Sequence, residues 1–527
     1  MQEIELKFQV PPDRCAALDK AVAGRVPQPK VRLQAAYCDT AKRALAKARM
    51  ALRVRREGRQ WVQTLKGATD DGMTRLEHNV LIAGTAMPPV DPLLHAGTPA
   101  GARLQAVLGD LGHGGLSVRY RTDIQRRSRI QRTAQGRVEL SFDTGLIAAG
   151  AAKLAVCELE IELVSGAPQA VLLAARAWVA RFGLWLDMRS KSERGDMLAR
   201  GEAMAPVRFA TEVHLDPALS APQALRRVLT SCADQILTNA SQIASGEHGD
   251  DHVHQLRVGL RRLRSALQLF ADTPAIAPGE PFNAALELAA AALFRQLGAA
   301  RDQVVIEASF AGELRAALAA AGVAGEPPPT GASDADVAPA ELLRAPASQA
   351  LLLDLLGAIQ EPDIGPDIGA ELAPTDTVAG AASRARKSAR RRPKPAPESA
   401  LRDLLAARLN RWHKRVTADA SRYRALDDAD RHRLRKQVKR LRYALEFSGR
   451  LFASRQVRRY LKSLRAAQER LGAINDVVVA MDIFRSHLDT DPRAWFALGW
   501  LAARRELLIT QALPDLKAFS RSKRFWT

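Results

Sequence analysis

From residue 2 to residue 164, apolar and polar positions alternate in short runs, the period of strands with one buried and one wet face. In Glu3-Ile4-Glu5-Leu6-Lys7-Phe8 the charged residues share one face, and Ile4, Leu6 and Phe8 share the other. Such runs occupy 2–10, 32–39, 50–57, 60–67, 75–82, 117–132, 137–144 and 156–164, with Gly58 and Gly136 placed to turn hairpins. Gln169 to Leu184 carries the spacing of a helix. A mainly antiparallel sheet with accessory helices is expected.

After a stretch containing Pro206, Pro217 and Pro222 the period lengthens to that of helices rich in Ala, Leu and Arg. The expected organisation is a sheet domain over 1–203, a linker over 204–222 and an all-α domain over 223–520. The helical halves would lie at about 223–320 and 400–520, joined by a Pro/Ala/Arg-rich segment that includes a short helix at Ala350–Ile359. The halves repeat each other. His254, Leu256, Arg257, Leu260, Arg261, Leu263 and Arg264 align without gaps on His432, Leu434, Arg435, Val438, Lys439, Leu441 and Arg442. Downstream, Leu297-Gly298, Asp302 and Val304 match Leu471-Gly472, Asp476 and Val478.

Composition narrows the partner. The 527 residues carry 78 Lys+Arg against 57 Asp+Glu, a net charge of +21, which favours a polyanion. Aromatic residues make up only 5% and are not interleaved with the basic rows, so stacking on nucleobases is disfavoured and phosphate is the expected target. Cys15, Cys38, Cys157 and Cys232 have no paired spacing, which suggests neither a zinc site nor a disulfide framework and fits a reducing cytoplasm. A charged N-terminus and the lack of a long apolar run predict a soluble chain without a membrane partner.

The strand faces carry the candidate chemistry. Glu3, Glu5 and Lys7 share one face, as do Arg53 with Arg55, Thr64 with Lys66, and Arg75, Glu77 and Asn79. The same parity recurs at Glu139, Ser141 and Asp143 and at Glu158, Glu160 and Glu162. Acids sit on the first and last strands and bases on those between, and closing the sheet would turn all these faces inward. Unpaired like charges there would neutralise by shifting their pKa, so a ligand must balance them. Glutamate oxygens suit Mg²⁺ or Mn²⁺, and Lys and Arg donate to phosphate oxygens. A metal-bound polyphosphate satisfies both sets.

Glu3-Ile-Glu5-Leu-Lys7, Leu-Arg53-Val-Arg55-Arg-Glu-Gly, Trp61-x-x-Thr64-Leu-Lys66-Gly, Cys-Glu158-Leu-Glu160-Ile-Glu162 and Ser190-Lys191 occur in order over about residues 1–200 and together resemble the CYTH family. Within it, Arg75-Leu-Glu77-His-Asn79-Val resembles the bacterial inorganic triphosphatases. The resemblance implies an eight-stranded antiparallel β-barrel tunnel and metal-assisted attack of water on a terminal phosphoryl group. It implies Glu3, Glu5 and Lys7 as catalytic residues. Lys7, Arg53, Arg55, Lys66, Arg75, Arg126 and Lys191 would bind phosphate, with Arg119, Arg121, Arg127 and Arg129 as neighbours of Arg126 whose parity is open. Glu3, Glu5, Glu77, Asp143, Glu158, Glu160 and Glu162 would hold the metal, with Glu139 supporting them.

At about 100° per residue, His254, Arg257, Arg261 and Arg264 fall on one helix face beside an apolar stripe. His432, Arg435, Lys439 and Arg442 repeat that face, and Arg458, Lys462 and Arg465 form a third row. Two such faces would repel if they met, so an anion between or along them is expected. With Tyr443, Asp302 and Asp476, these repeats resemble the CHAD domain over about 215–520, which implies two related helical bundles that bind inorganic polyphosphate through the two repeated rows, Lys462 and Arg465. The basic run from Arg384 to Lys394 reads as a flexible tether.

The expectation is an α+β multidomain inorganic triphosphatase that hydrolyses tripolyphosphate with Mg²⁺ or Mn²⁺ and binds polyphosphate. It has no specific nucleic-acid partner and a cytoplasmic, granule-associated location. Its alternatives are a non-catalytic polyphosphate binder, or a tunnel enzyme acting on thiamine triphosphate, a nucleoside triphosphate or, as a cyclase, ATP.

Overall fold

The computed structural model describes residues 2–68, 74–109, 115–271, 282–323, 326–327, 337–360 and 400–526. The sheet part runs β1 (Gln2–Gln9), α1 (Cys15–Ala23), β2 (Val31–Thr40), α2 (Ala44–Lys47), β3 (Met50–Glu57), β4 (Gln60–Ala68), β5 (Thr74–Ile82) and α3 (Pro99–Leu108). It continues with β6 (Leu116–Thr133), β7 (Gly136–Ala149), β8 (Ala152–Gly166), α4 (Gln169–Phe182), β9 (Trp185–Leu186) and α5 (Lys191–Ala199). The helical part runs α6 (Ala221–Ala244), α7 (Asp250–Leu269), α8 (Phe282–Gln296), α9 (Ala299–Ala320), α10 (Pro339–Arg344) and α11 (Pro346–Ile359). It ends with α12 (Ala400–Ser421), α13 (Asp428–Ser448), α14 (Ser454–Arg485) and α15 (Arg493–Ser520). The run Arg384–Lys394 lies outside the described residues.

All strand pairs are antiparallel, in the order β5-β4-β3-β2-β6-β7-β8-β1-β9. The sheet curls until its ends meet. One flank of β1 pairs with β8 through Glu5–Gln9, while the other pairs with β5 through Gln2–Ile4 and with β9 through Phe8 and Gln9. The expected eight strands are present, and the two-residue β9 is a ninth; the join between β1 and β5 is only three pairs long.

Alternation decides what lies on each side. Leu6, Phe8, Leu140, Phe142, Leu159 and Ile161 are buried on the outer face against Ala174, Ala175, Trp178 and Phe182 of α4. Leu52 and Leu65 are buried against Leu104 and Leu108 of α3. The apolar cluster under α4 continues through Leu352, Leu355 and Leu356 of α11 into the helical part, where the expected stripes Leu256-Leu260-Leu263-Leu267 and Leu434-Val438-Leu441-Leu445 are buried. Sheet and helices therefore share one apolar core. Arg176 pairs with Asp354 at 2.5 Å, and the Arg344 guanidinium lies 4.6 Å from the Trp185 ring centroid, fixing that join at its rim.

The cysteines correct the sequence expectation. Cys15 of α1 and Cys157 of β8 form a disulfide across 142 residues, because α1 folds back over the outer face of the sheet. Sequence spacing cannot show such a pair, whose proximity is created by the strand order. Cys38 and Cys232 are free and buried. Thiol titration of the unfolded, unreduced chain should find two free thiols, and four after reduction; four before reduction would contradict the bridge.

Candidate active site

The inner face of the curled sheet lines a cavity of about 890 Å³. Register places its charges. Gln9, Glu158, Asp143 and Arg126 stand opposite one another on β1, β8, β7 and β6, and Lys7, Glu160 and Ser141 form the next rung. Arg126 donates through Nε and Nη2 to Asp143 at 2.7 and 2.6 Å and through Nη2 to Glu160 at 2.5 Å. This settles the parity of β6: Arg126 points inward, while Arg127 bonds Asp19 of α1 and Arg129 lies over Trp178 of α4.

Lys191 reaches the same acids from α5, at 2.7 Å from Asp143 and 2.9 Å from Glu160, and also contacts Glu158. Its place follows from local sequence. Ser190 caps α5, its Oγ accepting from Glu193 N while Glu193 accepts from Ser190 N. The helix lies close on the sheet because Gly195 has no Cβ, which would stand 2.3 Å from the Tyr120 ring. Arg194, one turn after Lys191, bonds Glu158. Burial would raise the Glu160 pKa, but Lys191, Arg126 and Lys7 outweigh it and hold the carboxyl well below its usual range.

A second group of acids is differently placed. Glu5, Glu162 and Glu139 align on β1, β8 and β7. Glu5 bonds Lys7, Ser141 donates to Glu139 at 3.1 Å, and Lys66 pairs with Glu77 at 2.6 Å. Burial pushes the Glu162 pKa up to about 7, opposed by Lys66 and reinforced by Glu5, Glu139 and Glu160. Asp143, Glu158 and Glu160 present oxygens within 4.8 Å of one another, a spacing suited to a metal ion, but they also serve Arg126, Lys191 and Arg194. Hard carboxylate donors fit a hard divalent cation, and among the described residues the oxygens of Asp143, Glu158 and Glu160 have the spacing for one ion.

The opposite wall is cationic. Arg53 bonds the Tyr37 hydroxyl at 3.2 Å, and Arg55 contacts Glu57. The buried Nε atoms of Arg53 and Arg55 have no hydrogen-bond partner. Burial together with the neighbouring Arg53 lowers the Arg55 pKa. Asn79 accepts from Thr64 at 2.7 Å and donates to Glu77 at 2.8 Å, orienting that strand's polar edge. The backbones of Glu3 and Arg75 pair across the sheet join; their side chains are outside the described set.

Sequence reading missed Tyr37, Arg43, Arg49 and Arg194 among the groups at this cavity and its ionic cluster. Arg43 and Arg49 flank α2 with left-handed backbones, φ +59° and +56°, a local strain often found at binding sites. For Arg194 a signal existed: three residues after Lys191 on a capped helix, it shares that residue's face.

In the helical part the two basic rows do meet. Burial and the nearby Arg435 and Arg261 push Lys439 down to about 6, so α7 and α13 turn their cations toward one another. The buried Nε atoms of Arg261, Arg264 and Arg442 lack hydrogen-bond partners, while Arg257 and Arg261 stack over Phe294. His432 Nδ1 donates to Asn475 Oδ1 at 2.8 Å, and Asp476 lies 4.0 Å from Arg435. His254 is half-buried at the start of the α7 row, and Arg442 lies over the Tyr443 ring. Lys462 and Arg465 are exposed on α14, where Arg465 and Arg442 share Glu446 at 3.7 and 3.3 Å. The Asp302 side chain is outside the described set.

A curled antiparallel sheet with a charged interior, joined to a bundle of basic helices, defines a tunnel protein with an appended helical domain. Residues 1–195 match the CYTH domain and residues 227–485 the CHAD domain, so the chain carries a CYTH domain followed by a CHAD domain. An inorganic triphosphatase from Haemophilus influenzae is 29% identical over 205 residues, 38% of this chain and 55% of that protein. The chain thus spans about half the length of the curated relative it matches. The CHAD domain of the plant Ricinus communis is 28% identical, with a TM-score of 0.43, covering 61% of this chain and 99% of that one. A Hippeastrum protein described as having a dominant triphosphatase activity is 18% identical, with a TM-score of 0.29, covering 38% and 97%. No helix among the described residues is long and apolar enough to cross a membrane.

The raised pKa of Glu162 has a sign that can be measured without any ligand. Below about pH 4.5 the carboxyl is protonated in both folded and unfolded chains; above pH 7 it is charged in both, at a cost paid only by the fold. Glu162→Gln should therefore leave the melting temperature of metal-free protein unchanged at pH 4 and raise it at pH 8. Equal shifts at both pH values would contradict the crowded carboxylate row.

Proposed function

We propose that this chain is a divalent-metal-dependent phosphoanhydride hydrolase that cleaves inorganic tripolyphosphate to phosphate and pyrophosphate, and that its helical domain binds inorganic polyphosphate. The observation that carries the reading is one cavity with carboxylates of Glu5, Glu160 and Glu162 on one wall and Arg53, Arg55 and Lys66 on the other. A polyanion alone would be repelled by the first wall, and a cation alone by the second; the two together suit both. The CYTH domain and the distant triphosphatase relative support the same class of chemistry.

In this reading Arg53, Arg55, Lys66, Arg75 and Arg126 hold phosphate oxygens, and Lys7 and Lys191 stabilise charge that develops as the bond breaks. Glu3 and Glu5 orient water, whose oxygen forms the new bond to the terminal phosphorus; one carboxylate takes its proton, and the bridging bond's electron pair leaves with pyrophosphate. Glu5, Glu77, Asp143, Glu158, Glu160 and Glu162, with Glu3, are the carboxylates that would hold Mg²⁺ or Mn²⁺. When bound, the ion neutralises phosphate charge and polarises the scissile phosphoryl group.

The cavity volume, about 890 Å³, leaves room beside tripolyphosphate, which makes thiamine triphosphate and nucleoside triphosphates the informative comparison substrates. Purified protein should release phosphate from tripolyphosphate only with Mg²⁺ or Mn²⁺, and Glu5→Gln or Glu160→Gln should lower kcat about 100-fold or more. Full activity in either variant, or no metal-stimulated release by the unaltered protein, would overturn the assignment.

The facing rows of α7 and α13 support polyphosphate as the second ligand, with His254, Arg257, Arg261, Arg264, His432, Arg435, Lys439 and Arg442 along its path and Lys462 and Arg465 at its exit. Because Lys439 sits near 6 without an anion, binding a polyanion at pH 7–8 should draw a proton onto it. Affinity should therefore fall by up to about tenfold per pH unit as pH rises above 6. Calorimetry in buffers of different ionisation enthalpy should show that proton uptake, and Lys439→Met should remove it.

A further inference from the structure

The segment between β9 and α5 is held from two sides. On the sheet side, Asp187 N donates to Lys7 O at 2.9 Å, and Gln9 Nε2 bonds both Asp187 at 3.1 Å and Glu158 at 3.3 Å. On the helical side, Met188 N donates to Ser241 Oγ at 2.9 Å. Arg189, which grips Asp187 at 2.9 Å, extends Nη1 to Gln242 Oε1 at 3.1 Å and Ser245 Oγ at 3.3 Å. Gln242 Oε1 also accepts from Ala205 N at 3.1 Å. Two residues beyond Arg189 stands Lys191, the cation that ties Asp143, Glu158 and Glu160 together.

Ser241 and Gln242 are only 2% and 1% exposed. A helix that merely rested on the sheet would bury apolar side chains there, since each buried polar group costs free energy unless it finds a partner. Here Ser241 Oγ donates to Leu237 O at 2.8 Å and Gln242 Nε2 donates to Glu247 O, while the acceptor oxygens of both side chains serve Met188 N and Arg189 Nη1 in the segment that delivers Lys191. The same helix also walls the tunnel cavity through Thr230, Ala233 and Leu237.

We propose that the C-terminal turn of α6 and its capping residue are a positioning device for the tunnel: Ser241, Gln242 and Ser245 fix residues 187–189 and thereby the place of Lys191 among the tunnel carboxylates. The helical domain is on this account a structural part of the active site as well as a binding module. The inference rests on the reading of the tunnel as a triphosphatase site and deepens it by naming residues outside the tunnel domain that act through Lys191.

The test uses the full chain. Ser241→Ala and Gln242→Met remove acceptors with little change in volume, whereas Ser241→Thr keeps the hydroxyl that accepts from Met188 N and donates to Leu237 O. Hydrogen exchange of peptides covering 186–195 should quicken about tenfold or more in the first two variants and stay near the unaltered rate in the third, with β6–β7 and α13–α14 unchanged. With tripolyphosphate, kcat should fall about tenfold in the first two variants, KM should move less than kcat, and Ser241→Thr should retain activity. Unaltered exchange at 186–195 in both Ser241→Ala and Gln242→Met overturns the positioning role, whatever the activity. An unaltered protein that hydrolyses nothing overturns the tunnel reading instead, and the exchange rates then decide the positioning role alone.

Discussion

Carboxylates buried on the inner face of a sheet must be neutralised, and this requirement organises the molecule. Asp143 and Glu158 are wholly shielded from solvent, where an unpaired charge would cost several kcal/mol. Three cations meet them: Arg126 from a neighbouring strand, and Lys191 and Arg194 from one face of α5. Helix α5 is thus needed where it is, and so are the capping box that starts it and the glycine that lets it lie against Tyr120. The Glu5–Glu162–Glu139 rung is served instead by Lys7 beside Glu5 and Lys66 near Glu162, and burial still raises the Glu162 pKa.

The same electrostatic logic recurs in the helical domain with the sign reversed. Rows of Arg and Lys on α7 and α13 are brought face to face by the burial of the leucine stripes beside them, and Lys439 gives up part of its hold on its proton as a result. Hydrophobic burial supplies the free energy that assembles like charges. The tunnel therefore holds acids and bases on separate walls, and the helical domain holds facing rows of bases; both geometries are fixed before any ligand arrives, which lowers the reorganisation needed on binding.

The two domains are not beads on a string. A single apolar cluster runs from β1 and α4 through α11 into the bundles, and polar groups of α6 complete the hydrogen bonding of the segment before Lys191. Separating them would expose both apolar surface and unsatisfied backbone groups, so the tunnel isolated from the helices should be a different object from the tunnel within the chain.

Much of this was legible in the residues themselves. Alternation gave all eight long strands, the inward parity of Glu5, Lys7, Arg53, Arg55, Lys66, Glu160 and Glu162, and both leucine stripes, because side-chain direction is fixed by backbone period. Period could not choose among the crowded arginines of β6, pair Cys15 with Cys157, find the ninth strand, or show that Asp143, Glu158 and Glu160 already share three cations. Those features depend on which residues meet across distant segments, on strand register and on helix docking. A sequence determines which face each side chain takes; only the folded chain decides what that face meets, since burial and charge pairing are properties of neighbours brought together in space.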